Sequence, residues 1–395
     1  MRIDEIVNTI ICGDALDILK TFPDESINCV VTSPPYWGLR DYGLESTIWD
    51  SNNDCVHEWG DKLERAGYRS NDNNPGKLQS IATQKRNEGQ KSQFCLKCGA
   101  WRGQLGLEPV PELYVQHLTQ IFDEIKRVLK KDGTIWLNLG DSYISGKSRY
   151  STKEQTLSGK LRGEPINKKP DQYYHPFLKD KDLAGIPWRI AFSLQEKGWY
   201  LRSDIIWHKP NPMPESVKDR PTKAHEYIFL LTKTDRYYYD AESIYEIASG
   251  YDGRKSTFYN GGKKDVSIGK HERWPKRMKN LEYNGQANHS FHKSRAIGMS
   301  DKEYQARNKR TVWTVSTKPY PEAHFAVFPS DLIIDCIKAG CPENGIVLDP
   351  FIGSGTTAEV ATKLNRNYIG IELKPGYIEL ANKRLFEHKK QLKLV

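Results

Sequence analysis

Short apolar runs closed by Gly, Pro or Asp recur along the chain. Thr9-Ile10-Ile11-Cys12 stops at Gly13-Asp14, Ile27-Asn28-Cys29-Val30-Val31 at Thr32-Ser33-Pro34-Pro35, and Gly345-Ile346-Val347-Leu348 at Asp349-Pro350. Runs of this kind are those of parallel strands buried on both faces. Leu113, Val115, Leu118, Ile121, Phe122, Ile125, Val128 and Leu129 recur near helical spacing, which predicts a helix from Pro111 to Lys131. Lys131-Asp132-Gly133 halts it, and Thr134 to Leu139 follows as a strand. Alternating strands and helices predict an α/β fold, a mostly parallel sheet open to ligands at the carboxyl ends of its strands.

Three segments interrupt that pattern: 51–104, rich in Asn, Gly and Gln; 146–180, polar and basic; and 246–310, basic. The expected organisation is one domain assembled from 1–50, 105–245 and 311–395, an insertion at 51–104, and a separate basic region at 246–310.

Charge sharpens the reading of the last segment. The 395 residues carry 59 Lys+Arg against 50 Asp+Glu, a net +9. From Tyr251 to Arg310 there are 15 Lys+Arg and 6 acids, so this stretch alone equals the whole surplus. Tyr251, Phe258, Tyr259, Trp274, Tyr283, Phe291 and Tyr304 lie among them. Basic residues mixed with aromatics suit phosphate neutralisation and base contact; a solvated insertion is the alternative. The mean hydropathy is −0.69, and no run approaches the roughly 18 apolar residues of a membrane helix. The start, Met-Arg-Ile-Asp-Glu, is acidic where a signal peptide needs a basic and then apolar stretch. Seven thinly spread cysteines do not make a disulfide framework. A cytoplasmic protein is expected.

Val347 to Thr357 reads as strand, glycine turn and helix start. Asn367-Tyr368-Ile369-Gly370-Ile371-Glu372 is the next strand, ending in an acid 17 residues after Gly355. Glycines admit close backbone approach, and a strand-terminal acid can accept both hydroxyls of a ribose. Ala358 stands where a dinucleotide fingerprint has its third glycine. Acids at Asp349 and Glu372 suit a ribose and an ammonium better than a polyphosphate, and S-adenosylmethionine (SAM) has both with no phosphate.

Thr32-Ser33-Pro34-Pro35-Tyr36-Trp37 follows a buried strand directly, so it sits at the sheet's carboxyl edge. The prolines fix φ and supply no N–H, leaving carbonyl oxygens to face a site. Ser33 Oγ and the Pro34 carbonyl can each accept one N–H of an exocyclic amine, and Tyr36 offers a face on which a flipped base can stack. In the insertion, Cys55-Val56-His57 and Cys95-Leu96-Lys97-Cys98 supply three thiols and an imidazole. Four such donors suit a structural zinc, which would provide folding energy that so polar a segment cannot draw from a core.

Ser33-Pro34-Pro35-Tyr36 with Asp349-Pro350-Phe351, Gly353 and Gly355 resembles the amino-group DNA methyltransferases, which modify cytosine N4 or adenine N6. The catalytic motif precedes the cofactor motif, with a variable basic region between them. That order is similar to the family's beta class, a circularly permuted arrangement of the Rossmann-like, SAM-dependent methyltransferase fold. The resemblance implies that Ser33, Pro34, Pro35 and Tyr36 are catalytic. It implies that Asp349, Phe351, Gly353, Gly355 and Thr356 hold the methionine part of SAM, with Glu372 at the ribose and Asp14 near the adenine. His324 to Pro329 resembles a degenerate cofactor-covering motif, with Phe325 and Phe328 its aromatic members. Trp207-His208-Lys209-Pro210-Asn211-Pro212 resembles the loop that approaches the target pocket, and 246–310 would be the target-recognition region. Duplex DNA is the implied partner, together with a homodimer and a cognate restriction enzyme. Serine at the first motif position resembles the cytosine-N4 enzymes; adenine N6 is the alternative, with RNA methylation or a non-catalytic DNA-binding subunit behind it.

Overall fold

At the centre of the main sheet, a strand from near the end of the chain lies beside one from near its beginning. The computed structural model describes residues 1–38, 46–52, 54–61, 91–144, 177–247, 257–260, 263–267, 306–317 and 328–392. In chain order its strands are β1 (Thr9–Cys12), β2 (Ile27–Thr32), β3 (Thr47–Trp49), β4 (Trp59–Asp61), β5 (Lys91–Cys95), β6 (Trp101–Gly103), β7 (Leu129–Leu139), β8 (Tyr200–His208) and β9 (His225–Thr232), then β10 (Glu246–Ile247), β11 (Thr257–Asn260), β12 (Lys263–Ser267), β13 (Ala306–Arg307), β14 (Val312–Thr314), β15 (Ile346–Asp349) and β16 (Asn367–Glu372). The α-helices are α1 (Ala15–Lys20), α2 (Pro111–Val128), α3 (Ile186–Glu196), α4 (Ser330–Gly340), α5 (Thr356–Lys363) and α6 (Pro375–Leu392).

Eight strands form the main sheet in the order β1-β16-β15-β2-β7-β9-β8-β14. All neighbours are parallel except β9, which runs antiparallel to both β7 and β8. The apolar runs at β2, β15 and β16 therefore fall where their pattern predicts, buried in the parallel part; β1 is parallel too, but as the edge strand it is half-buried to exposed rather than buried on both faces. Side-chain alternation along β7 assigns the two faces. Ile135, Leu137 and Leu139 belong to the core cluster that includes Leu118, Ile121, Phe122 and Ile125 of α2. Thr134 and Trp136, pointing the other way, meet α4: Thr134 Oγ1 donates to the Gly340 carbonyl at 3.0 Å.

The α2 segment departs from its expected end. The helix stops at Val128 rather than Lys131, and Leu129 is already extended (φ −70°, ψ 136°). Leu129 is fully buried and pairs with Ile27, so sheet pairing overrides the local helical spacing.

The insertion's described residues contribute three strands of a small sheet in the order β3-β6-β5-β4, whose first strand, β3, lies just ahead of the insertion. The chain divides into two compact units, Met1–Tyr239 with Thr311–Val395, and Asp240–Arg310. In the second, β10 pairs antiparallel with β13 and β11 with β12, and Glu246 accepts from Arg310 Nε at 2.9 Å. Most of the basic stretch at 251–310, and Phe325, lie outside the described residues. Among those described, no helix is long and apolar enough to cross a membrane.

A Cβ added at Gly340 would lie 2.2 Å from Trp136 Nε1 and 2.5 Å from Thr134 Oγ1. Gly340→Ala should therefore lose about 1–3 kcal/mol through overpacking, measured by urea denaturation. An unchanged midpoint would show that α4 can shift over β7 without cost.

Candidate active site

Because β15 and β2 are parallel neighbours, with Val347 opposite Cys29 and Leu348 opposite Val30, the loops after them leave the same edge of the sheet. A side-chain bond ties them together. Thr32 Oγ1 donates to Asp349 Oδ1 at 2.6 Å, Thr357 Oγ1 to Asp349 Oδ2 at 2.6 Å, and the Phe351 N–H to Oδ1 at 3.1 Å. Asp349 is only 1% exposed. Burial raises its carboxyl to about 6 despite the three donors. Both oxygens are thus engaged by the protein, and what Asp349 does directly is shape the glycine turn.

That turn needs its glycines. Gly353 (φ +52°) has open space where a Cβ would be, while at Gly355 (φ +84°) a Cβ would lie 2.8 Å from that of Ala381 on α6. The first leaves room for close approach of a ligand, and the second lets α5 seat against α6. Glu372 Oε2 accepts the Gly353 N–H at 3.0 Å, its Oε1 accepts the Lys374 N–H at 2.8 Å, and burial raises its proton affinity. Thr356 is buried, its Oγ1 accepting from Arg384 Nη1 at 2.9 Å. Cys12 is opposite Glu372, which brings Asp14 to the same edge. Asp14 Oδ1 caps α1 by accepting the Leu16 N–H at 2.9 Å and the Asp17 N–H at 3.3 Å; burial raises this carboxyl too. Phe328 is half-buried just before α4.

The Ser33–Tyr36 loop is enclosed from several sides. A Cβ on Gly140, just past β7, would lie 2.5 Å from the Tyr36 ring, and one on Gly106 3.1 Å from the Tyr36 carbonyl, so both glycines allow contact with this loop. Tyr114 Oη donates to the Pro35 carbonyl at 2.7 Å. Ser33 Oγ donates to Tyr36 Oη at 3.2 Å, and Tyr36 Oη donates to Glu226 Oε2 at 2.8 Å. Asn138 lies beside this junction, 3.0 Å from Tyr36 Oη, and its Nδ2 donates to Glu226 at 3.2 Å and to the Tyr227 carbonyl at 3.1 Å. Lys209 completes the group with an ion pair to Glu226 and lies over the Trp207 ring, 4.2 Å from its centroid. Burial, then the Glu226 charge, pushes the Tyr36 phenol well above its usual value; the phenol therefore stays a neutral donor.

Cys55, His57, Cys95 and Cys98 converge, with all their ligand atoms within 4.8 Å of one another. Cys98 Sγ is 3.4 Å from His57 Nδ1, and Cys55 Sγ 3.8 Å from Cys95 Sγ. Ser51 Oγ sits 3.0 Å from His57 Nε2, the outer-sphere contact that orients a ligating imidazole. Burial opposes ionisation of Cys95, but backbone N–H groups of Cys98 and Lys97 together with His57 bring its thiol down to about 5. Burial and the neighbouring thiols push Cys55 up to about 11. Three sulfurs and one imidazole nitrogen at this spacing fit tetrahedral zinc.

Sequence reasoning missed Thr32 and Thr357 as partners of Asp349, and Asn138 and Glu226 as partners of Tyr36. Asn138 carried a signal, as a polar side chain between Leu137 and Leu139 in a buried strand: such a group needs a hydrogen-bond partner. Glu226 gave none, because its pairing with Tyr36 depends on β9 lying beside β7.

A mostly parallel sheet with one reversed strand, bearing a glycine turn and an acid at adjacent strand ends, defines a methyltransferase fold. The PvuII DNA methyltransferase (cytosine-N4-specific) shares it, with a TM-score of 0.50 at 16% identity over 95% of this chain and 85% of that one. The family model described as DNA methylase, of the N6/N4 methyltransferases, matches residues 27–383. The type II methyltransferase M.Cfr9I of Citrobacter freundii is 37% identical over 377 residues, 95% of this chain and 87% of that protein. M.SmaI of Serratia marcescens is 37% identical over 380 residues, 96% and 91%. The chain belongs to the N6/N4 DNA methylase family.

A carboxyl whose folded-state value is raised favours folding at low pH and loses that advantage as pH climbs, here between about 4 and 6 for Asp349. Thr32→Val removes a donor to the ionised form and should extend that loss. Its stability cost should reach about 1–3 kcal/mol at pH 8 and shrink toward pH 5, by thermal denaturation. An equal cost at both pH values would mean that Asp349 does not change its ionisation between them.

Proposed function

We propose that this protein transfers the methyl group of SAM to an exocyclic amine of a base flipped out of duplex DNA, and that the amine is N4 of cytosine. The Thr32–Asp349 hydrogen bond carries the reading, because it joins the Ser33–Tyr36 loop to the glycine turn at adjoining strand ends. In this reading Phe351, Gly353, Gly355 and Thr356 surround the methionine part of SAM on a loop held by Asp349. Glu372 takes the ribose, Asp14 lies toward the adenine, and Phe325 and Phe328 cover the cofactor. Duplex DNA is engaged by the basic region at 246–310, in the cytoplasm. The type II names of M.Cfr9I and M.SmaI support a cognate restriction enzyme, and a homodimer belongs to the same proposal. Cys55, His57, Cys95 and Cys98 supply a structural zinc site.

The chemistry follows from the acceptors. An exocyclic amine is a weak nucleophile because its lone pair is conjugated with the ring. With Ser33 Oγ donating to Tyr36, and Tyr36 to Glu226, the serine's lone pairs are left to accept an N–H. The Pro34 carbonyl accepts the other. Two acceptors favour a pyramidal nitrogen, whose freed lone pair attacks the sulfonium methyl: the N–C bond forms as the S–CH3 bond breaks, its electron pair leaves with S-adenosylhomocysteine, and the surplus N–H proton is lost to solvent. Alignment on the Tyr36 face contributes the proximity term, which can reach several kcal/mol. No covalent intermediate is required. A hydroxyl at Ser33, with no carboxylate at that motif position, supports cytosine N4.

Incubation with SAM and unmethylated duplex DNA, digestion to nucleosides and mass analysis should reveal N4-methylcytosine. N6-methyladenine would keep the mechanism and reverse the base; no methylated base would sink the reading. Ser33→Ala should lower turnover by about 10²-fold with SAM affinity retained, whereas Glu372→Ala should weaken SAM binding first. Wild-type turnover in both would displace the site.

Neutralising Lys263, Lys264, Lys270, Lys276 and Lys279 together should weaken DNA binding and flatten its dependence on salt, by about 0.9 in log–log slope for each phosphate no longer neutralised. An unchanged slope would move the DNA surface elsewhere.

A further inference from the structure

We infer that the metal at Cys55, His57, Cys95 and Cys98 has a positional role, fixing the wall behind the catalytic loop through a chain, Asp50–His117–Glu108, that runs from the surface at Asp50 to the buried His117 and Glu108. The inference rests on the zinc and methyltransferase readings above and adds residues that neither uses.

His117 is fully buried on α2. Its Nδ1 is 2.9 Å from Glu108 Oε1 and its Nε2 3.1 Å from Asp50 Oδ2, so each ring nitrogen lies within hydrogen-bonding distance of a carboxyl oxygen. Two indoles stack on the ring, Trp49 with centroids 4.6 Å apart and Trp101 at 5.3 Å. A carboxyl, an imidazole and two indoles would be a costly way to fill a core with no further purpose, since an apolar cluster of similar volume is as stable or more so.

One end of the chain reaches the catalytic loop. Glu108 Oε2 accepts the Gly106 N–H at 2.7 Å, and the Glu108 carbonyl accepts Trp37 Nε1 at 2.9 Å. The Gly106 carbonyl accepts the Gly38 N–H at 2.8 Å. Tyr114, one turn before His117 on α2, holds the Pro35 carbonyl. The backbone on both sides of Tyr36 is thus fastened to the Glu108–His117 group.

The other end reaches the metal ligands. The Cys95 N–H donates to the Ala100 carbonyl at 2.8 Å and the Gly99 N–H to the Cys95 carbonyl at 3.0 Å. This knuckle leads directly into Trp101 on β6, which pairs with Trp49 on β3; Asp50 follows Trp49. A metal closing the knuckle therefore sets both indoles against His117 from one side of the small sheet.

The test uses the full-length protein grown with zinc, with zinc content, SAM affinity, turnover and amide hydrogen exchange at Trp37–Gly38 as readouts. Wild type and His117→Gln should carry about one zinc per chain, and Cys95→Ser with Cys98→Ser essentially none. Both variants should keep SAM affinity, lose about 10–100-fold in turnover, and exchange the Gly38 amide faster. Glu108→Gln, which still accepts from Gly106, should retain more turnover than Glu108→Ala. Wild-type protein free of zinc would overturn the metal. Zinc-loaded His117→Gln with wild-type turnover and exchange would overturn the chain while leaving the metal. If wild type methylated no DNA, the methyltransferase reading would fall, and zinc content with Gly38 exchange would still decide this inference.

Discussion

The architecture hinges on one buried carboxylate. Asp349 lies 317 residues from Thr32, yet the two meet because the chain's permuted order places β15 beside β2 in mid-sheet. A lone carboxylate in that position would be prohibitively costly to ionise. Two hydroxyls and a backbone N–H at 2.6–3.1 Å offset much of that cost, and the value of about 6 records what remains. The same three donors fix the start of the glycine turn, the start of α5 and the threonine immediately before Ser33. One residue therefore sets the relative position of the two loops.

Rigidity at Tyr36 arises differently, from many neutral contacts. Gly106 and Gly140 admit the loop because they lack side chains, Tyr114 holds a proline carbonyl that has no strand partner, and the phenol is held by Glu226 and Asn138. Lys209 matters here through charge: it neutralises Glu226, which would otherwise be a buried anion beside a phenol. Every hydroxyl in the row donates away from Ser33. Methyl transfer to a neutral amine needs that polarity, because acceptors expose the nitrogen lone pair and a donor would compete for it.

The sequence disclosed the parallel strands because each is apolar throughout and ends in a breaker, a pattern that survives without knowledge of neighbours. It disclosed the ligand cluster because Cys95 and Cys98 have the spacing of a knuckle. It was silent on β9, whose reversed direction is a property of pairing, and so on Glu226. The end of α2 was misplaced because Leu129 fits a helical period as well as it fits a strand; burial opposite Ile27 decided between them. His117 lies on the buried face of α2, one turn before Ile121, yet nothing local reveals that two carboxyls and two indoles would close around it.

The acids along this sheet edge act through their shared desolvation. Asp349 and Glu372 end β15 and β16, Asp14 lies two residues past β1, and burial raises the proton affinity of all three. Each is thus an anion at neutral pH only against a desolvation cost, which a cation placed beside it would relieve. A polyphosphate would meet the opposite, added repulsion from carboxylates whose own backbone partners are already used. SAM, whose sulfonium and ammonium outweigh its single carboxylate, brings a net positive charge to that field. The charge of this edge therefore favours SAM over a nucleotide independently of the glycine pattern, which either ligand would tolerate.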